Sequence, residues 1–159
     1  MSQRVDERKP TKLNLDAYNK FLKLSDHVLS VCKPKDKNVN DKHIPKRNAS
    51  IGKMMMDAVV EIGCDILEAN EIYVGGNLDI ESRIENYKER IKLQEHAKRM
   101  TYRVENIFRI LHFDKPFAES TSKYMMDLIC ETRQLLTNWR ESEIKDSKSL
   151  QKSVLIGER

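Results

Sequence analysis

Apolar residues in this chain recur at alternating intervals of three and four in four separate runs, and the breaks between the runs hold proline or glycine. That spacing follows the 3.6-residue turn of an α-helix, so each run predicts one helix with a single apolar stripe. Such a stripe is stable only when another element covers it. Four of them, joined by short connections, predict an all-α protein: an antiparallel, up-down-up-down four-helix bundle. Composition agrees, because 5 glycines and 4 prolines in 159 residues are too few for the many turns of a β-rich fold.

Residues 1–13 are polar and read as a flexible lead-in. The first helix is expected from about Asp16 to Lys33, with Tyr18, Phe21, Leu22, Ser25, Val28, Leu29 and Cys32 as its stripe, stopped by Pro34. The second starts near Asn48 or Ser50 and reaches Tyr73, with Gly52 and Gly63 inside it. A glycine costs a helix about 1 kcal/mol, so each is expected to permit close approach of a neighbour. Val74-Gly75-Gly76-Asn77 is the clearest break. Asp79 then caps a third helix to His112, whose middle, Gln94 to Arg99, is unusually polar. A fourth helix spans Ala118 to Ser142, so the bundle covers 14–142. Residues 143–159 read as a polar C-terminal tail, helical at its start, with a short apolar patch at Val154-Leu155-Ile156.

Little in the sequence points to catalysis. A di-iron bundle needs a carboxylate three residues before an inward histidine. The residues three before His27, His43, His96 and His112 are Leu24, Asn40, Leu93 and Arg109. No cysteine or histidine pair has zinc-ligand spacing, and no nucleophile elbow or glycine-rich phosphate loop is present. Cys32, Cys64 and Cys130 lie in apolar helical stretches and read as reduced, buried thiols of a cytoplasmic protein. Asp57, Glu61 and Asp65 are expected on the exposed face of the second helix. No apolar run is long enough to span a membrane. The expectation is a protein that is not an enzyme, with no cofactor and no metal.

The positive signal is basic. Lys33 to Arg47 carries six basic and two acidic residues, a surplus of +4 (6 − 2) that equals the net charge of the whole chain. On the third helix Lys88, Lys92, Arg99 and Arg103 are spaced by four, seven and four, which sets them along one side, with Arg90 on a neighbouring row. Glu85, Glu89, Glu95 and Glu105 lie among them, so some of this charge is expected to be spent on pairs within the helix. Few aromatics accompany the charges, which argues against a stacking platform for single strands and for contact through phosphates.

Ile44-Pro45-Lys46-Arg47-Asn48-Ala49-Ser50-Ile51-Gly52-Lys53, then Ala69-Asn70-Glu71-Ile72-Tyr73-Val74, then Arg90 with Gln94 and Ala97, then Leu135-Leu136-Thr137-Asn138-Trp139-Arg140-Glu141-Ser142 occur in this order. The series resembles the accessory variability determinant proteins of diversity-generating retroelements, which belong with the ribosomal S23-like four-helix bundles. The likeness runs from Leu15 to Ser142. It implies a homopentamer that binds a reverse transcriptase together with template RNA and cDNA and supports mutagenic reverse transcription. Lys46, Arg47 and Arg90 match basic positions of that family. The candidate contacts are therefore Lys42, Lys46, Arg47, Lys53, Lys88, Arg90, Lys92, Arg99 and Arg103. The alternative is a stand-alone S23-like module for self-assembly or protein contact, without nucleic-acid binding.

Overall fold

The computed structural model describes residues 12–32, 44 and 46–157; the expected lead-in through residue 11, most of the basic loop and Lys42 lie outside them. Among the described residues there are four α-helices, one 3-10 turn and no strand: α1 Lys12–Cys32, the turn Lys46–Asn48, α2 Ala49–Glu71, α3 Ile80–Asp114 and α4 Glu119–Gly157. α2 packs against α1 and α3, and α4 packs against α3 and α1, which closes a ring around one core. No described helix is long and apolar enough to cross a membrane.

The stripe of α1 lies slightly round the helix from its expected position. Ala17, Phe21, Leu24, Val28, Val31 and Cys32 are buried, whereas Leu22 and Leu29 are exposed. The burial face is set by where α2 and α4 stand, not by the highest local hydropathy. α2 buries Met55, Ala58, Val59, Ile62, Ile66 and Ala69, and its two glycines meet α1 and the residue just before the turn. A Cβ on Gly63 would clash with the edge of the Phe21 ring, and one on Gly52 would strike the side chain of Ile44. Those missing side chains let α1 and the chain entering α2 lie close to the α2 backbone.

The exit of α2 is sealed by α3. Arg90 donates to the carbonyl of Ile72 at 2.9 Å, Asn86 to that of Tyr73 at 2.6 Å and Arg83 to that of Val74 at 3.1 Å. Three carbonyls in succession, which α2 cannot satisfy once it has ended, thus find donors on the next helix. No described residue has positive φ, so the Gly75-Gly76 turn does not use the left-handed region. Gly75 matters for space, since the phenol of Tyr73 occupies the place of its absent side chain. Asp79 caps α3 as expected: Oδ1 accepts from the Ser82 amide at 2.8 Å and Oδ2 from the Ser82 hydroxyl at 2.7 Å.

The main departure is α4. No tail begins at residue 143; the helix continues to Gly157, and Glu143 and Ser147 are buried. The inward line Leu136, Trp139, Glu143, Ser147 keeps helical spacing while changing from apolar to polar. A hydrophobic pattern therefore fades where the helix does not. At 1.5 Å per residue α3 and α4 are roughly 52 and 58 Å long, well beyond α1 and α2 at roughly 32 and 35 Å.

Candidate nucleic-acid interface

On α3 successive residues turn by about 100°, so Lys88, Lys92, Arg99 and Arg103 fall within an arc of about 60° and span roughly 22 Å. All four are exposed. Lys88 is held by Glu85 at 3.3 Å, one turn earlier. Lys92, Arg99 and Arg103 form no ion pair among the described residues, whereas nearby Glu95 pairs with Arg140 of α4. The acids expected to consume this row therefore engage it only at its first member.

A carboxylate at the opposite end of α3 fixes the entry to α2. Asp114, the last residue of α3, accepts from Asn48 Nδ2 at 2.7 Å and from Arg47 Nε and NH2 at 3.2 and 3.1 Å. The Asn48 amide first, and the Arg47 guanidinium with it, hold the Asp114 carboxyl below the usual carboxylate range. Asn48 is buried, so this clamp sets the 3-10 turn against the α3 terminus. Lys46 projects beside it, exposed and with no ion-pair partner among the described residues, and Lys53 is exposed seven residues on. Cations also suit this place because the C-terminal end of α3 carries a partial negative charge.

The two basic elements meet at a groove of about 350 Å³ lined by Met54, Asp57, Ala58, Glu61, Met100 and Arg103. Arg103 thus lines the same groove as Met54, the residue after Lys53. Asp57 and Glu61 line the same groove, so the field there is mixed. Further along, Asp65 is buried, against the expectation of an exposed residue, and accepts from or donates to His96 Nδ1 at 2.6 Å. Burial pushes the Asp65 carboxyl up, and the His96 contact opposes that rise.

Arg90 is not on this surface. It is 6% exposed and sits about 200° round α3 from Lys88, in line with buried Tyr87, Gln94 and Ala97. Its guanidinium forms a two-point pair with Glu143, with Nε to Oε2 at 3.0 Å and NH2 to Oε1, and lies 5.7 Å from the Trp139 ring. Glu143 also accepts from Gln94 Nε2 at 2.6 Å and Trp139 Nε1 at 2.8 Å. A cation with its charge neutralised and its donors spent inside the bundle cannot meet a phosphate. Gln94, the first residue of the polar middle of α3, thus belongs to a buried network with Arg90, Trp139 and Glu143.

Other groups were missed. Arg133 of α4 lies 3.6 Å from the ring centre of Tyr102 and donates to Thr101 Oγ1 at 2.9 Å and to Glu105. Arg109 also donates to Glu105, at 2.7 Å. The hydrogen bond from Arg133, with Arg109 adding to it, holds the Glu105 carboxyl below its usual range. Tyr102 and Phe113 are exposed, so aromatic rings do accompany the basic surface. The thiols divide as well: Cys32 is buried, but Cys64 and Cys130 are exposed. Among the described residues no group of three or more His, Cys, Asp or Glu could hold a metal ion.

Comparison with protein-family models, with curated proteins and with solved structures found no match for this chain.

Proposed function

We propose that this chain is a non-catalytic accessory subunit of a retroelement reverse transcriptase, binding the polymerase and its template RNA or cDNA through a basic surface. The observation that carries the reading is that Lys46, Lys53, Arg99 and Arg103 are exposed and free of ion pairs among the described residues, with Lys46 beside the Arg47–Asn48–Asp114 clamp and Arg103 and Arg99 roughly 16 and 22 Å along α3 from it. Two independent stretches of sequence supply these cations, and the clamp holds one against the other. The resemblance over Leu15 to Ser142 supplies the polymerase and the homopentamer, and the cytoplasmic setting rests on the reading of the cysteines as reduced thiols. In this reading the helices run up-down-up-down. The cross-helix pairs support that order, since Arg90 meets Glu143 while Arg133, ten residues before Glu143, meets Glu105, fifteen after Arg90.

The test is a pull-down with a reverse transcriptase of a diversity-generating retroelement and a mobility-shift titration with that element's template RNA. Binding is expected to weaken steeply with salt, as phosphate contacts require. Reversing charge at Lys46, Lys53, Arg99 and Arg103 is expected to abolish it. RNA binding that survives the reversal overturns the reading.

A specific observation favours a second reading, the self-assembling module without nucleic-acid binding. Val60, Cys64 and Leu67 form an exposed line at helical spacing on α2, and Leu22 and Leu29 are exposed on the neighbouring α1. That reading predicts an oligomer by light scattering with no RNA shift at any salt concentration.

A further inference from the structure

The corner where α3 gives way to α4 holds a groove of about 430 Å³ lined by Phe108, Arg109, His112, Phe113, Ser122 and Met126. Small-ligand sites run from about 300 to 1,000 Å³, so the space suits one flat group. Its inner wall is aromatic. The rings of Phe108, His112 and Phe117 lie with centroids 5.1 to 6.0 Å apart and planes within 30° of one another. The Phe117 amide donates to His112 Nδ1 at 3.1 Å, which fixes the plane of the imidazole.

The outer wall is Phe113, 91% exposed and without a ring partner among the described residues. Core packing offers no reason to hold a phenyl ring in water at this place. Cations border it. Arg109 lines the groove and keeps a largely exposed guanidinium, and Arg47 is bound to Asp114, the residue next to Phe113. Arg47 and Arg109 keep side chains 65% and 66% exposed although they pair with Asp114 and Glu105, and exposed Lys46 forms no ion pair among the described residues. An apolar peptide would leave that charge unanswered, whereas a phosphate-bearing strand complements it. A base has a flat face for the ring and polar edges for the Ser122 hydroxyl and the imidazole.

Resting on the RNA-binding reading above, we propose that this corner takes an unpaired base of single-stranded RNA, stacked on Phe113, with the flanking phosphates against Arg109 and Arg47. The surface then prefers single strands to duplex, because a base inside a helix offers no free face.

The test is fluorescence-anisotropy titration of the full chain with a labelled single-stranded RNA and with its duplex. Phe113→Ala should weaken single-strand binding by at least about 5-fold, the loss of one base–aromatic stack, and leave duplex binding and the salt slope unchanged. Phe113→Trp should restore single-strand affinity, and its indole emission should be quenched by unlabelled single-stranded RNA. Because Phe113 is solvated, neither change threatens the fold. Wild-type affinity in Phe113→Ala, or an unquenched Phe113→Trp, overturns this inference alone, provided charge reversal at Lys46, Lys53, Arg99 and Arg103 still abolishes binding. Absence of any RNA binding by the wild type overturns this inference and the proposed function together.

Discussion

Replacing Glu143 by alanine should be among the most damaging single substitutions in the molecule. Its carboxylate takes four hydrogen bonds: two from Arg90, one from Gln94 and one from Trp139. Arg90, Gln94 and Trp139 are each buried, so water cannot replace the lost acceptor without opening the core. Breaking a buried ion pair by removing one partner costs about 3 to 5 kcal/mol, because the other charge is left buried. The orphaned indole and amide donors add to that, at about 1 to 3 kcal/mol for each group left unsatisfied. A domain of this size has about 5 to 15 kcal/mol in all, so Glu143→Ala removes a large part of its stability. Removing both charges is a different perturbation. Arg90→Met with Glu143→Leu leaves no buried charge, and exchange of a buried pair for apolar groups is often neutral. The double variant should therefore be more stable than Glu143→Ala, with strong coupling between the two sites. Urea denaturation followed by the emission of Trp139, the sole tryptophan, measures Glu143→Ala, the single changes Arg90→Met and Glu143→Leu and the double variant, and also reports directly on the network. A loss below about 1 kcal/mol for Glu143→Ala, a size typical of ordinary substitutions, would refute the reasoning. So would strict additivity of the two single changes.

Glu105 gives a pH dependence. Its carboxyl titrates lower in the fold than the ordinary 4.5, so its bonds to Arg133 and Arg109 stabilise fully above that value and lose their effect as pH falls through the lower folded value. The stability gap between wild type and Glu105→Gln, about 2 kcal/mol for charge-assisted bonds, should hold at pH 7 and close in acid, as read by denaturation at several pH values. Gly63→Ala should destabilise by about 1 to 3 kcal/mol despite the better helix former, because the methyl group overpacks against Phe21. Combining it with Phe21→Leu should recover part of the loss in thermal melts. With Ellman's reagent at pH 8, Cys64 and Cys130 should react readily in the native protein. Cys32, whose thiol burial pushes up to about 11, should react only after unfolding.

Much of this was legible along the chain. Helical periodicity gave the number of helices, and Asp79 with Ser82 marked the start of α3 by a local rule that needs no tertiary partner. Gly52 and Gly63 announced close approach, since helix propensity alone gives no reason for glycine there. Other residues were misplaced because their surroundings are non-local. Arg90 looked like one more surface cation until Glu143, fifty-three residues away, was set opposite it. The same pairing hid the second half of α4, whose inward residues Glu143 and Ser147 are polar and so left no apolar trace. Nothing in the local spelling around Phe113 says that it stays in water.

By itself the sequence determined the period, and therefore the number of helices, the Asp79 cap and the glycines at which they draw close, because these depend on neighbours within a turn. Only the tertiary structure decided which charges are available. Whether a guanidinium is spent on a buried carboxylate, as for Arg90, or left in water, as for Arg99 and Arg103, depends on which groups the packing of four helices sets opposite it. Local spacing carries no record of that.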